Sequence, residues 1–109
     1  MSEYKKLHIG CGKRYLEGYI HIDIDKYNHI DYCTEVDNLG MFEDSSVDLI
    51  YASHVIEYFD LDEVNKVFLE WKRVLVKGGI LRIAVPNFES LTSIYNQTKN
   101  LDLALFDIS

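Results

Sequence analysis

Hydrophobic positions along the chain fall into short strand-like runs and one helix-like stripe. The apolar runs predict five strands, at about residues 6–10, 19–24, 30–34, 47–52 and 80–85. A helix over about 61–77 is predicted by one apolar stripe, formed by Val64, Val67, Phe68, Trp71, Val74 and Leu75. Asp60 and Glu63 are spaced as a capping box at its start, and Gly78-Gly79 is expected to end it.

The direction of the third strand is open. Only residues 26–29 separate the second and third runs, and four extended residues reach about 13 Å. A crossover between parallel neighbours normally needs a dozen or more residues. Strand three therefore either runs parallel with almost no crossover or forms a hairpin or an irregular edge.

The C-terminal part carries apolar residues without an obvious partner. Residues 87–100 have apolar positions at roughly helical spacing, and residues 101–108 are largely apolar. An exposed edge at strand five and an apolar tail both need cover. We therefore expect a homodimer in which strand five or residues 101–108 pair with a second copy.

Composition limits the class of protein. The 109 residues, 48% of them apolar and 27% charged, predict one globular domain over 1–109. No apolar stretch approaches the roughly 18 residues of a membrane span and no signal-peptide pattern is present, so we expect a cytoplasmic protein without a membrane partner. The net charge of −7 repels a phosphate backbone, which argues against nucleic acid as a partner. Two cysteines give neither a disulfide framework nor a zinc pattern, and no metal site is expected.

Two strand ends carry the candidate chemistry. The first run ends in Gly10-Cys11-Gly12 and the second ends at Asp23. Glycines at a strand end allow a ligand to approach the backbone closely, and an acid at the neighbouring strand end can accept hydrogen bonds from ribose. A dinucleotide is disfavoured, because Tyr15 breaks the G-x-G-x-x-G pattern and residues 13–18 leave no room for the phosphate-binding helix.

These motifs resemble class I S-adenosylmethionine-dependent methyltransferases, and more narrowly their short, type-11-like members. Residues 42–50, the segment 53–58, and the helix followed by Gly-Gly and an apolar strand are similar to later stretches of the family, so the resemblance covers about 6–95. It implies an α/β fold, a Rossmann-like three-layer α/β/α core with sheet order about 3-2-1-4-5. The family's last two strands are missing, which we interpret either as a C-terminally abbreviated member or as a partial chain. Arg14 replaces the family's usual third glycine, and His8 stands where many relatives carry an acid.

The resemblance also implies a set of site residues. The cofactor-binding positions are Gly10, Cys11, Gly12, Asp23, Ile24, Glu35, Val36 and Ser53. Asp23 would hold the ribose, Glu35 would accept from the adenine amino group, and either Val36 or Leu39 would pack on the base. His54 is the candidate catalytic residue, as a general base at the end of the central strand.

The remaining cysteine and histidine side chains have structural interpretations. Cys11 is expected to be a small residue in a tight turn and Cys33 a core residue. His8 is interpreted as a core histidine with its hydrogen bonds satisfied, whereas His21 and His29 have no evident partner in the sequence.

The predicted function is transfer of a methyl group from S-adenosylmethionine to a small polar acceptor, a sugar or another metabolite. One alternative is a non-catalytic module, or a degenerate methyltransferase, that binds the nucleoside or S-adenosylmethionine. A second alternative is a nucleotide-dependent oxidoreductase, which the early acid and the missing phosphate helix disfavour.

Overall fold

A computed structural model describes residues 4–53, 55 and 59–84 of the chain. These residues form a five-stranded sheet and one helix. The elements are β1 (Lys6–Ile9), β2 (Ile20–Asp23), β3 (Tyr32–Cys33), β4 (Val47–Ser53), α1 (Leu61–Val74) and β5 (Leu75–Ala84). The predicted strand over 30–34 is thus reduced to two residues, and the others lie within about a residue of their predicted positions except at the start of β5.

The sheet has the order β3-β2-β1-β4-β5, and all neighbouring strands are parallel. This confirms the predicted Rossmann-like order. It also decides the direction of β3, which pairs parallel with β2 through Ile22 opposite Tyr32 and Asp23 opposite Cys33. Within the described residues α1 is the one helix, and the links 10–19 and 24–31 contain turns and bends only.

The helix begins where the sequence predicts. The Asp60 carboxylate accepts the Glu63 backbone N–H at 2.9 Å, and the Glu63 side chain accepts the Asp60 N–H at 3.2 Å. This reciprocal capping box satisfies two of the N–H groups that a helix start leaves without partners.

The predicted end of the helix is wrong. The helix stops at Val74, because Leu75 turns to extended backbone and starts β5 opposite Val47. Gly78 and Gly79 lie inside that strand, in a bulge between the Val47–Leu75 and Leu49–Ile80 pairs. Gly78 has φ +80°, and a Cβ on Gly79 would lie 2.9 Å from the Val76 carbonyl oxygen. The glycines therefore allow the bulge, and Lys77 belongs to the strand rather than to the last helical turn.

The helix packs its apolar stripe on one face of the sheet. The buried stripe consists of Val64, Val67, Phe68, Trp71 and Val74. Opposite it lie alternate residues of β1, β2, β4 and β5, namely Leu7, Ile9, Ile22, Ile50, Ala52, Leu81 and Ile83. Burying these side chains on a single face fixes the register, because a slip of one residue would turn every one of them to the other side.

The other expectations for this part of the chain stay open. In the described sheet β5 pairs with β4 and forms an edge, and its pairing with a second copy stays a prediction. Three expectations concern residues outside the described part of the chain. They are the helical spacing over 87–100, the apolar tail 101–108 and the end of the fifth strand, which is predicted at residue 85, just before Pro86. No helix of the described residues is long and apolar enough to span a membrane.

Candidate functional site

The two glycines after β1 have different local roles. Both have positive φ, +69° at Gly10 and +57° at Gly12, a conformation that favours glycine. A Cβ on Gly10 would overlap the Val55 side chain, whereas a Cβ on Gly12 would meet no atom within 4 Å. Gly10 is thus required by packing against the segment after β4, and Gly12 presents open backbone at the carboxyl edge of the sheet.

Asp23 joins this turn to the end of β2. Its Oδ2 accepts the Gly12 N–H at 2.7 Å, and its Oδ1 accepts the Asp25 N–H at 2.8 Å. The residue is only 7% exposed, so these two bonds fix its rotamer. A carboxylate has about four lone-pair sites, and each oxygen retains capacity for one more donor, such as a ribose hydroxyl.

A cavity of about 370 Å³ lies beyond the end of β2, where Ile24 lines it, whereas Asp23 and the glycines after β1 are not among its lining residues. Three of the predicted site residues line it: Ile24, Glu35 and Val36. Leu39, the other candidate for packing on a base, is fully buried in the core. Of the two, Val36 is therefore the one that reaches the cavity.

The other residues that line the cavity are not among the predicted site residues. These are Asp37, Phe59, Glu63, Lys66 and Val67. A topological signal was available for those on the helix. Because α1 follows the carboxyl end of β4, its first turns must flank the same sheet edge as the strand ends that carry Asp23 and Glu35.

The C-terminal half of α1 holds the loop that carries Glu35 and Val36. The Trp71 Nε1–H donates to the Val36 carbonyl oxygen at 2.8 Å. Glu70 accepts the Leu39 N–H at 3.0 Å, and Arg73 donates to the Leu39 carbonyl oxygen, also at 3.0 Å. The Arg73 hydrogen bond lowers the pKa of Glu70, which stays ionised as the acceptor. Buried and charge-assisted bonds thus fix the cavity wall to the helix.

The cysteines differ from each other in environment. Cys11 is buried, and burial together with the nearby Asp23 raises the pKa of its thiol to about 11. It is therefore a poor nucleophile at neutral pH and acts as a small residue in the turn. The expectation that Cys33 belongs to the core is wrong: it is exposed and donates to the Ile24 carbonyl oxygen at 3.2 Å.

The candidate catalytic position is only partly described. Ser53 is the last residue of β4 and half-buried, and its carbonyl oxygen would lie 3.6 Å from a Cβ on Gly10. His54 lies outside the described residues, and its role as a general base stays a prediction. Among the described residues, no group of three or more His, Cys, Asp or Glu side chains is placed to hold a metal ion.

Two histidines correct the sequence analysis. His8 is fully buried as expected, but both of its ring nitrogens lack a hydrogen-bond partner. Burial is the main reason why its pKa falls to about 4, and His21 lowers it further. His21 does have partners, because its Nε2 accepts the Leu16 N–H at 2.9 Å and its Nδ1 lies 3.6 Å from Asp31 Oδ2. These contacts join β2 to the turn that precedes it and to the link that follows it.

Most of the chain matches the model of a known family. The family described as a methyltransferase domain matches residues 7–83, a span that includes the turn after β1 (residues 10–16, here the glycine turn), Asp23, the loop that carries Glu35 and Val36, and most of β5. The comparison with curated proteins finds none that matches.

Proposed function

This chain belongs to the methyltransferase domain family, and from that premise we propose that it binds S-adenosylmethionine at the glycine turn and cavity and methylates a small polar acceptor. Members of this family generally use S-adenosylmethionine. The observation that supports the donor site best is the position of Asp23 at the end of β2. Its carboxylate accepts the Gly12 N–H on one side, and the residue that follows it, Ile24, lines the cavity.

The described side chains fit the parts of this donor. Asp23 has acceptor capacity left for the ribose hydroxyls, and the open backbone at Gly12 leaves room for the amino-acid end. Glu35 is exposed at the cavity and can accept from the adenine amino group, while Ile24 and Val36 supply apolar surface for the base. No helix lies between Gly12 and β2, a stretch that the structure describes in full, and this suits a donor without phosphate groups better than a dinucleotide.

The acceptor is proposed from charge and chemistry. A chain of net charge −7 repels nucleic acid, so a sugar or another small cytoplasmic metabolite is the better candidate. A lone pair of the acceptor forms the new bond to the methyl carbon as the carbon–sulfur bond of the donor breaks. The electron pair of the broken bond stays on sulfur. The protein then needs to align the two reactants and accept the proton that the acceptor loses, a role that we assign to His54.

Donor binding is tested by titration calorimetry with S-adenosylhomocysteine. Glu35→Ala removes one charge-assisted hydrogen bond from an exposed residue, so we expect binding about tenfold weaker than wild type. The matched control is Asp62→Ala, which removes an exposed acid of α1 that does not line the cavity. Its affinity should equal that of wild type.

Three outcomes would contradict parts of the proposal. Failure of the wild-type protein to bind at millimolar ligand would overturn the donor site. Binding without turnover, in an assay with pooled sugar and metabolite acceptors, would favour a non-catalytic binding module. Methylation of RNA or DNA but of no small molecule would overturn the acceptor class.

A further inference from the structure

The C-terminal half of the glycine turn is supported by a buried imidazole. His21 lies in β2 on the sheet face opposite α1 and is only 1% exposed. Its Nε2 accepts the Leu16 N–H at 2.9 Å. An imidazole nitrogen accepts a hydrogen bond only when it carries no proton, so this contact requires neutral His21.

Other supports of the turn lie closer to β1. Gly10 donates its N–H to the Ile22 carbonyl oxygen at 2.9 Å, and Gly12 donates to Asp23. Further along the turn, the Tyr15 ring stacks on His21 with centroids 5.0 Å apart. Residues 10–19 contain no helix that would hold them by its own hydrogen bonds. The path from Gly12 to Leu16 is therefore held at one end by Asp23 and at the other by His21.

We propose that His21 is a positioning residue for donor binding: its neutral imidazole holds the glycine turn in the form that binds the donor, and its protonation releases that turn. The inference rests on the proposed function, because it assumes that Gly12 faces the donor. Once Nε2 carries a proton, two N–H groups face each other at Leu16 and the hydrogen bond is lost. The turn is then held only at its Gly12 end, by Asp23, so the backbone that follows Gly12 no longer has a fixed geometry.

The surroundings of His21 set the direction of its pH response. The titratable groups around it are Asp31 and His29 from the β2–β3 link, His8 from β1 and Tyr15 from the turn. Burial lowers the pKa of His21 below its ordinary value of 6.5, and His29 lowers it further, whereas Asp31 acts in the opposite direction. The turn is therefore held at neutral pH, and it is released as the pH falls through the lowered pKa of His21.

Two substitutions separate the hydrogen bond from the titration. His21→Gln keeps an acceptor oxygen for the Leu16 N–H but has no proton to take up. His21→Leu fills a similar volume and provides no acceptor. Each is measured with S-adenosylhomocysteine by titration calorimetry across pH 7.5 to 5, and the ratio to wild type at each pH cancels the titration of groups that do not interact with His21.

The expected results differ for the three proteins. Wild type should bind about tenfold more weakly in acid than at pH 7.5, the value of one lost hydrogen bond. His21→Gln should bind as wild type does at pH 7.5 and should not show the acid loss. His21→Leu should be about tenfold weaker than wild type at pH 7.5, and this difference should shrink as the pH falls and His21 of wild type takes up a proton.

A measurement without ligand tests the contact itself. Nitrogen-15 spectra of wild type should show His21 Nε2 unprotonated at pH 7.5. The exchange protection of the Leu16 amide should be retained in His21→Gln and lost in His21→Leu. These spectra of wild type do not depend on whether either variant folds.

The outcomes separate this inference from the proposed function. If wild type binds no donor, the proposed function fails together with the inference that depends on it, even if Leu16 is protected. If wild type binds as tightly at a pH where its spectra show His21 Nε2 protonated as it does at pH 7.5, or if His21 Nε2 is protonated at pH 7.5, the inference fails and the proposed function stands.

Discussion

The two faces of the sheet are built from alternate residues of the same strands and are covered in different ways. Toward α1, the neighbouring residues Ile22, Ile9 and Ala52 form an apolar row across β2, β1 and β4. Toward the other side, the corresponding row is His21, His8 and Tyr51. One face is therefore an ordinary hydrophobic core, and the other is a layer of imidazole and phenol rings.

The lengths of the links explain the difference. A crossover helix, α1, connects β4 to β5 and covers the first face with apolar side chains. The links 10–19 and 24–31 have no helix, although parallel sheets are usually covered by helices on both faces. Rings from these links, those of Tyr15, Tyr19 and His29, contact the histidines of the second face instead. Such rings can cover a sheet with few residues, since each combines a large apolar area with a polar tip.

The largest expected effect is on the α1 face. Trp71 is fully buried and donates to the Val36 carbonyl oxygen, so Trp71→Ala leaves both a cavity and a buried acceptor without its partner. We expect the free energy of unfolding to fall by about 3–5 kcal/mol, measured by urea denaturation. The control is Leu69→Ala on the exposed side of the same helix, which should change it by less than about 0.5 kcal/mol. Equal losses in the two variants would show that α1 is not a core helix.

The next effect belongs to the second face and depends on pH. His8 remains neutral in the folded protein until the pH approaches its pKa of about 4, while in the unfolded chain it takes up a proton near pH 6.5. The folded protein should therefore lose about 3 kcal/mol of stability as the pH falls from 6.5 to 4, with no further loss from this group below that. His8→Leu removes the titrating ring, so it should not show this part of the acid loss.

The measurement is urea denaturation of wild type and His8→Leu at pH 7.5, 6.5, 5 and 4. At pH 7.5 the two should be of similar stability, because the variant loses ring contacts but also removes two buried nitrogens without partners. The difference should grow in favour of the variant as the pH falls. A constant difference at every pH would mean that His8 takes up its proton as easily in the folded protein as in the unfolded chain.

Much of the fold was predictable because its signals are local or topological. The strand positions follow from short apolar runs, the strand order was implied by the family resemblance, and the Asp60–Glu63 capping box depends on residues three apart. The end of α1 was not predictable from the local pattern. Gly78-Gly79 is a typical helix stop, but pairing of Leu75 with Val47 begins a strand earlier and uses the glycines for a bulge.

The candidate site also has one part that could be predicted from the sequence and another that could not. The proximity of Asp23 to Gly12 follows from parallel strand ends meeting at one edge, so it could be expected from sequence. The cavity wall at Phe59 and Lys66 comes from elements distant along the chain. The partner of His21 likewise depends on the path of the glycine turn, and the missing partners of His8 depend on packing across three strands. No single-sequence pattern reports the contacts of the two histidines, whereas the position of α1 after β4 was a topological signal for the helical part of the cavity wall.

The smallest expected effect tests whether ring contacts on the second face add stability beyond the area they bury. Tyr51 stacks on His8 with centroids 4.9 Å apart and planes 6° from parallel, and such ring pairs contribute about 1 kcal/mol. Tyr51→Leu keeps an apolar side chain at the position and removes the ring, so we expect a loss of about 1 kcal/mol in the urea denaturation of the variant at pH 7.5. The control is Tyr4→Leu, at a mostly exposed tyrosine, which should have no measurable effect. A loss as large as that of Trp71→Ala would contradict the comparison, because the ring layer would then stabilise the sheet as strongly as the hydrophobic core does.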